Sequence, residues 1–267
     1  MKIIVSHDVD HLTLLEHKKD LIVPKFFVRS SIELLKRKIS SSEYLRRVAA
    51  SIRNKWQNIE ELMEYDRGQG VGSTFFVAVR RGGGLSYGLK DAKRWVQRIQ
   101  NEGFDVGLHG ICVDAIEAMR KEHEMFASLS GTTEFGIRMH NLKTVPGMLS
   151  RLDKLGYVFD STYRIWGNPE RVGSIFEFPL HIMDGHIMHG NKKFTSLTLS
   201  ESIRDTKAII RKAFEDGVSH LTILFHDRYF EDGFMTVKQW YMYTIEYLKE
   251  NRFEFTDFKT AVGEMEQ

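Results

Sequence analysis

Cysteine is nearly absent from this sequence of 267 residues, which contains only Cys112. No disulfide can therefore form within the chain, and nothing indicates an oxidising compartment. The sequence also lacks an apolar run near the ~20 residues that a helix needs to cross a bilayer. Its first residues lack the charged start, the apolar centre and the cleavage site of a signal peptide. We therefore expect a soluble protein of the cytoplasm.

An excess of charge of either sign is missing as well. Lys and Arg number 38 against 36 Asp and Glu, which gives a formal net charge of +2 at pH 7. This balance offers no global argument for binding to nucleic acid or to a membrane. Residues 12–67 are an exception, because they are rich in Arg and Lys. We interpret them as solvated helix faces, the alternative being a patch for an anionic substrate or for the inner face of a membrane.

What the sequence does contain is a regular alternation of strand and helix patterns. Apolar runs predict strands at 2–5, 72–79, 104–110, 134–140, 157–162, 175–180 and 220–227. Helical spacing predicts helices at 26–38, 44–65, 89–101, 114–129, 145–155, 199–216, 236–250 and 257–265. This alternation is typical of a parallel sheet, and seven or eight units predict a distorted (β/α) barrel of the α/β class. No linker interrupts the chain, so we expect a single domain over residues 1–267.

Residues that bind metals or transfer protons stand at the ends of most predicted strands. In a barrel of parallel strands these C-terminal ends meet at one mouth, where active sites lie. The ends carry Asp8, Asp10, His109, Arg138, His140, Asp160 and His226. Taken singly, each could be a helix cap, an ion-pair partner or a buried histidine. Together they predict an active site with a divalent cation held by Asp and His, and a position left open for water.

The order of these motifs resembles the polysaccharide deacetylase family, which comprises metal-dependent carbohydrate esterases on a distorted (β/α) barrel. The resemblance rests on five stretches in order: 6–10 with its Asp-x-Asp, 106–110 with a metal histidine, 136–140 with an arginine, 159–162 with an aspartate and 223–226 with Leu-x-His. They span nearly the whole chain. The first two stretches are most similar to family members linked with surface-polysaccharide and O-antigen clusters.

The resemblance implies a deacetylase that removes the N-acetyl group from an amino sugar of a surface polysaccharide or of its precursor. Because we expect a cytoplasmic protein, the substrate would be nucleotide-linked or lipid-linked. A divalent metal, zinc above all, would bind Asp10 and His109. Asp8 would accept the proton of the attacking water while Arg138 holds its charge, and His226 would protonate the leaving amine.

Further side chains near the strand ends are candidates for binding the sugar. Asp160 would either orient His226 or bind sugar hydroxyls, and three aromatic residues would stack on a sugar ring or simply pack within their loops: Tyr163, Trp166 and Tyr229. Residues 82–84 are three glycines, but no Gly-Lys-Ser/Thr follows them, so we interpret them as a flexible loop. His7 and His11 flank the aspartate pair without an assigned role.

The chain departs from the family pattern at one metal ligand. The family has a second histidine four residues after the first, whereas Val113 occupies that position here. His140 is the preferred replacement, and the alternatives are Asp114, His186 and His189. Two other functions stay open. The lost ligand allows a glycan-binding protein without turnover, and the same fold could also serve an amidohydrolase that acts on a non-sugar amide.

Overall fold

A curled sheet forms the centre of the computed structural model, which describes residues 1–189 and 198–266 (the side chain of His189 excepted). Within these residues the strands are β1 Lys2–Val9, β2 Ser73–Val77, β3 Asp105–Gly110, β4 Ile137–Met139, β5 Phe159–Asp160, β6 Glu170–Val172, β7 Ile175–Glu177, β8 Ile182–Met183, β9 His220–Leu224 and β10 Glu254–Thr256. Side by side they follow the order β6, β7, β5, β4, β3, β2, β1, β9, β8, and β10 pairs with the start of β1. The pairs are parallel except for the hairpin of β6 and β7.

One continuous segment, residues 175–183, brings two distant strands of the sheet together. Its first part is β7, which pairs with β5, and its last part is β8, which pairs with β9. Pro179 lies between the two parts, where the missing N–H interrupts no ladder, and its carbonyl accepts a hydrogen bond from Thr222. The sheet therefore curls into a distorted barrel, and the predicted α/β class and (β/α) barrel are confirmed.

Helices connect the strands. They are α1 Ile22–Leu35, α2 Ser41–Ile52, α3 Ile59–Gln69, α4 Leu89–Asn101, α5 Ile116–Ser130, α6 Met148–Leu155, α7 Asp184–His189, α8 Leu199–Glu215, α9 Met235–Glu250 and α10 Phe258–Met265. Most bounds agree with the sequence prediction to within a few residues. The single helix predicted at 44–65 is wrong, because α2 and α3 divide this stretch.

The break between α2 and α3 is caused by tertiary contacts. Asn54 adopts a φ of 52°, which a helix does not accommodate. Its side-chain oxygen accepts a hydrogen bond from the N–H of Leu15 at 2.8 Å, and the N–H of Trp56 donates to the carbonyl of Leu12 at 3.1 Å. The break thus binds the loop that follows β1, an interaction that helical periodicity does not reveal. Strands as short as β8 and β10 escaped prediction because two or three residues show no period.

The inside of the barrel is apolar below and polar at the mouth. Along β1, Ile4, Ser6 and Asp8 point inward in turn. Ile4 packs in a buried cluster that also contains Phe76, Phe159, Phe176, Phe178 and Phe258. The guanidinium carbon of Arg138 lies 4.3 Å from the centre of the Phe76 ring. The polar residues of the mouth therefore lie above this cluster of phenylalanines, which we call the aromatic floor.

Residues of the opposite parity on β1 face the helices. His7 Nε2 lies 2.9 Å from the Asp66 carboxylate of α3, and its Nδ1 lies 3.0 Å from the carbonyl oxygen of Phe225. Asp66 also accepts hydrogen bonds from Ser73 and Tyr241. His7 is thus part of a buried network that joins β1 to the surrounding helices, and it does not enter the mouth of the barrel.

Close packing beside β4 predicts a sharp difference between two glycines. A Cβ at Gly136 would lie 2.2 Å from a ring carbon of Phe159, whereas a Cβ at Gly68 in α3 would meet nothing within 4 Å. We expect Gly136→Ala to lower the free energy of unfolding by about 1–3 kcal/mol because the aromatic floor must shift. Gly68→Ala should raise it by up to about 1 kcal/mol. Urea unfolding measures both, and equal effects of the two substitutions would contradict this packing.

Candidate active site

Asp8 and Asp10 face the same part of the barrel mouth, as the alternation of side chains along an extended chain requires. Asp8 is buried near the end of β1, whereas the side chain of Asp10 is 20% exposed. Both approach one imidazole nitrogen, since His109 Nε2 lies 3.8 Å from Asp8 Oδ2 and 3.3 Å from Asp10 Oδ1. Two carboxylates this close require positive charge or hydrogen-bond donors around them.

Arg138 supplies the positive charge for Asp8. Its guanidinium is fully buried and donates to Asp8 Oδ1 at 3.0 Å and to Ser6 Oγ at 2.9 Å. Two more hydrogen bonds, to the carbonyl oxygen and the hydroxyl of Ser161, hold it in place. Burial alone would raise the pKa of Asp8, but the charges of His109 and Arg138 lower it below its usual value. Asp8 is therefore a carboxylate with a fixed orientation.

The two histidines of the mouth are each held by a backbone carbonyl. His109 Nδ1 lies 3.1 Å from the carbonyl oxygen of Arg138, and His140 Nε2 lies 3.1 Å from that of Gly83. Because a carbonyl only accepts, both of these nitrogens carry the proton and donate. In the neutral rings the remaining nitrogens, His109 Nε2 and His140 Nδ1, carry the lone pairs that a metal would use, and they lie 3.0 Å apart. Metal-binding histidines are typically oriented in this way by their outer nitrogen.

The inner nitrogens and Asp10 form a compact triangle. Asp10 Oδ1 lies 3.3 Å from His109 Nε2 and 3.3 Å from His140 Nδ1. This oxygen is buried and has no hydrogen-bond partner. Tetrahedral zinc with bonds of about 2.0–2.1 Å separates its ligands by about 3.3 Å, which is close to all three distances. The three residues therefore fit a tetrahedral divalent metal and leave a fourth position open.

The glycines of residues 82–84 take part in this geometry, which their interpretation as a flexible loop missed. Gly83 has a φ of 62°, and a Cβ at this position would lie 3.0 Å from the ring of His140. Its carbonyl receives the His140 N–H. The three glycines form no phosphate motif, and their contact with His140 could not be predicted from the sequence because it joins residues 57 positions apart.

His226 lies on the opposite side of Asp10 and is oriented by Asp184. His226 Nε2 is 3.7 Å from Asp10 Oδ2, and its Nδ1 lies 2.9 Å from Asp184 Oδ1. The backbone N–H of His226 also donates to Asp184 at 2.6 Å. Although burial favours the neutral ring, Asp184 and then Asp10 raise the pKa of His226 well above its usual value. His226 is therefore an imidazolium at neutral pH.

Asp184 was missed by sequence reasoning, which expected Asp160 to orient His226 or to bind the sugar. Asp160 is fully buried and accepts hydrogen bonds from Thr162, at 2.6 Å to its hydroxyl. Burial and the charge of Asp160 raise the pKa of its neighbour Glu177 well above the usual value, so Glu177 is protonated. Asp160 belongs to this buried pair. Asp184 carried no signal of its own, because it follows a strand of two residues.

The three aromatic candidates lie in different places. Tyr229 approaches the site, with its ring centre 6.0 Å from that of His226. Tyr163 is half-buried, and its backbone N–H donates to Glu177 at 3.2 Å. The indole N–H of Trp166 donates to Asp216, which caps the helix leading into β9. Trp166 therefore lies beside the start of β9, whereas the site lies beyond its end, and the structure does not bring Trp166 to the site.

The alternatives to His140 as a third ligand are not brought into the triangle. Asp114 is exposed, and neither it nor His186 belongs to a group of closely spaced metal-binding atoms within residues 1–189 and 198–266. The side chain of His189 lies outside the described residues. Val113 is 7% exposed and packs in the core. Among these candidates the geometry favours His140.

A second group of potential metal ligands in the described part of the chain contains ion pairs, although His11 Nδ1 and His17 Nε2 are buried without a hydrogen-bond partner. It consists of His11, Glu16 and His17. His17 lies 3.2 Å from Glu16 and 2.9 Å from Asp20. Burial lowers the pKa of His17, but these two carboxylates raise it more, so the protonated ring pairs with both. Burial lowers the pKa of His11 to about 3 and keeps this residue neutral.

Comparison with known proteins shows what the fold is shared with. No protein-family model and no curated protein matches the sequence. Among solved structures, a Mycobacterium smegmatis protein described as a polysaccharide deacetylase has a TM-score of 0.67 at 14% identity, with 99% of this chain and 89% of that chain covered. Puue allantoinase has a TM-score of 0.65 at 12% identity, with coverages of 98% and 88%. A Pseudomonas aeruginosa protein described as a polysaccharide deacetylase has 0.63 at 11%, with the same coverages. At these sequence identities the structural similarity shows a shared fold. This fold is the distorted (β/α) barrel that the resemblance in sequence motifs implied.

The triangle predicts which histidine a metal needs. We expect His140→Ala to weaken zinc binding by more than about 100-fold, because loss of a ligand should exceed the 10–100-fold effect of losing an outer hydrogen bond. His186→Ala, which removes a half-buried histidine outside the triangle, should leave the affinity unchanged. Zinc titration of the metal-stripped variants measures both. Equal affinity of wild type and His140→Ala would contradict the assignment.

Proposed function

We propose that this protein is a metal-dependent deacetylase that hydrolyses the N-acetyl group of an amino sugar in a surface polysaccharide or its precursor. The shared fold does not select the substrate by itself, because it serves proteins described as deacetylases and an allantoinase. The observation that carries the proposal is the convergence of three elements at one mouth: Asp8 paired with Arg138, the triangle of Asp10 with two histidines, and His226 paired with Asp184.

Asp10, His109 and His140 would hold the metal. A divalent ion bound there supplies Lewis-acid chemistry, which polarises a carbonyl and lowers the pKa of water from about 15.7 towards 7. The residues around it prepare this position, since two carbonyls fix the rings and the partly exposed Asp10 leaves access from solvent. Zinc suits a set of two imidazoles and one carboxylate.

Asp8 accepts the proton of the attacking water. Its Oδ1 is occupied by Arg138, whereas its Oδ2 faces the triangle at 3.8 Å from His109 Nε2. The lowered pKa of Asp8 keeps it ionised at neutral pH and ready to receive a proton. Arg138 thus separates the two functions of the aspartate pair, because it orients Asp8 as a base while Asp10 remains available as a ligand.

His226 donates a proton to the leaving nitrogen. Asp184 holds its Nδ1, so the protonated Nε2 points toward Asp10 and the mouth. Hydrolysis then balances as follows: water adds to the acetyl carbon, its proton passes to Asp8, and the C–N bond breaks as the nitrogen takes a proton from His226. The products are acetate and the free amine.

We further propose that the protein works in the cytoplasm at the inner face of the membrane, on a precursor carried by a nucleotide or a lipid. No helix in the described residues is long and apolar enough to cross a membrane. The cationic stretch that follows β1 supports an anionic carrier.

Acetate release tests the reaction and the substrate together. We expect wild type to release acetate faster from N-acetylglucosamine linked to uridine diphosphate or to a polyprenyl diphosphate than from chitooligosaccharides. Asp8→Asn should lower this rate by about 10²–10⁴-fold, the usual contribution of a general base, while bound zinc is unchanged. Full turnover by Asp8→Asn would contradict the assignment of Asp8 as the base. A preference for chitooligosaccharides would contradict a substrate carried by a nucleotide or a lipid. Zinc-free protein that binds glycans without turnover would support the alternative of a glycan-binding protein. Turnover confined to non-sugar amides would support the alternative of an amidohydrolase.

Asp184 predicts a change in pH dependence. In wild type the acid His226 stays protonated to high pH, because its pKa lies well above the usual value. Asp184→Asn removes the largest source of that rise, so the alkaline limb of the pH–rate profile should move to lower pH. The rate at neutral pH should fall by at least about 10-fold. Asp205→Asn, at a half-buried position of α8 where the carboxylate pairs with Arg204, is the matched control and should leave the profile unchanged. An unmoved alkaline limb in Asp184→Asn would contradict the assignment of His226 as the acid.

A further inference from the structure

Positive charge is concentrated in one segment of the chain. Residues 12–55 contain eleven Lys and Arg and four Asp and Glu, a formal charge of +7, so the remaining residues together carry −5 of the overall +2. None of the four acidic side chains is exposed. The exposed charges of the segment are therefore all positive: Lys18, Lys19, Lys25, Lys36, Arg37, Lys38, Arg46 and Arg53. The balance of the whole sequence hides this asymmetry.

The same segment exposes an unusual amount of apolar surface. Of the ten exposed large apolar side chains in the described residues, six lie between positions 15 and 52. On α1 they are Leu21, at its start, Val28 and Leu35, with exposures of 65%, 60% and 83%. A spacing of seven residues places them along one side of the helix. On α2, Leu45 and Ile52 repeat the spacing. We call these five residues, with the exposed cations around them, the outer face.

The outer face is not the side by which these helices pack on the domain. On α1 the packed side carries Ser30 and Glu33, and Glu33 pairs with Arg47 of α2 at 2.8 Å. Arg47 in turn donates to the carbonyl of Gly233. Both helices therefore have a satisfied inner side and a separate apolar outer side. Exposed apolar side chains grouped along a helix in this way favour an interaction site.

A cleft lies beside α1 and reaches Asp184, the residue that holds His226. It has a volume of about 210 Å³, and the residues that line it include Phe26 and Arg29 of α1 together with Asp184 and Tyr229. Lys25 lines the cleft and is also exposed, so it stands between the outer face and the cleft. A substrate in the cleft would meet cationic groups near α1 and the partner of His226 at its inner wall.

We propose that α1 and α2 dock on an anionic phospholipid surface through the outer face, and that the substrate is a lipid-linked sugar diphosphate that enters the cleft from that surface. The substrate half of this proposal rests on the proposed deacetylase function. Apolar side chains ringed by Lys and Arg suit the boundary between headgroups and acyl chains. Phosphates of a nucleic acid would use the cations and leave the apolar row unused. A second copy would oppose the outer face with charges of the same sign.

Vesicle binding tests the docking surface independently of turnover. Wild type should bind vesicles of equimolar phosphatidylglycerol and phosphatidylcholine, and binding should weaken as salt is raised. Val28→Glu with Leu35→Glu should weaken binding by at least about 10-fold, since it replaces inserted apolar groups by anions. Phe214→Glu, at an apolar side chain 63% exposed on α8, is the matched control and should bind as wild type does. Circular dichroism and the elution volume of each variant check that the fold is unchanged.

Three outcomes would overturn the docking surface. The first is no vesicle binding by wild type, and the second is equal binding by the double variant. The third is that wild type binds no vesicles and is a dimer, whereas the double variant is a monomer.

Acetate release from polyprenyl-diphosphate-linked N-acetylglucosamine in these vesicles tests the substrate. The double variant should lose at least about 10-fold in this rate while keeping its rate on the uridine-diphosphate-linked sugar. Vesicle binding without any acetate release would refute the deacetylase function and leave the docking surface standing.

Discussion

Compensation of two neighbouring carboxylates at the end of β1 is the constraint on which the rest of the site depends. Asp8 is neutralised by Arg138, which reaches it across the barrel from β4 and rests on Phe76. Asp10 retains a buried oxygen without a hydrogen bond and faces two imidazole lone pairs. Arg138 compensates the charge of Asp8, whereas the geometry around Asp10 favours a bound cation. We propose that this asymmetry divides the pair into a base and a metal ligand.

Residues 175–183, which close the barrel, determine where Asp184 lies relative to His226. Because residues 175–183 run from β5 to β9, the helix that follows begins at Asp184 directly beside His226. The same segment carries Glu177, which shares the barrel interior with Asp160 and is held neutral by it. Glu177 and Asp184 thus have different neighbours, since Asp184 lies beside the imidazole of His226 and Glu177 lies beside the carboxyl group of Asp160.

The cleft has residues of α1 along it and also reaches Asp184 beside the site. The outer face exposes apolar side chains and positive charge, the cleft begins at Lys25, and Asp184 at its inner wall holds His226. The proposed chemistry at the mouth needs a metal and two proton-transfer groups, whereas the proposed selection of the substrate depends on the surface that surrounds them. A lipid carrier gives the apolar and cationic features of α1 and α2 a common purpose.

The sequence by itself determined the class of fold and most of the residues at the mouth. Strand and helix periods are local, and parallel strands bring their ends together, so Asp8, Asp10, His109, Arg138, His140 and His226 could all be named in advance. Only the tertiary structure decided their partners. Asp184, not Asp160, holds His226; Gly83 orients His140; and Trp166 lies at the other end of β9. These contacts join residues far apart in the chain, and no local period encodes which carboxylate or carbonyl a folded barrel will place within 3 Å of a given ring.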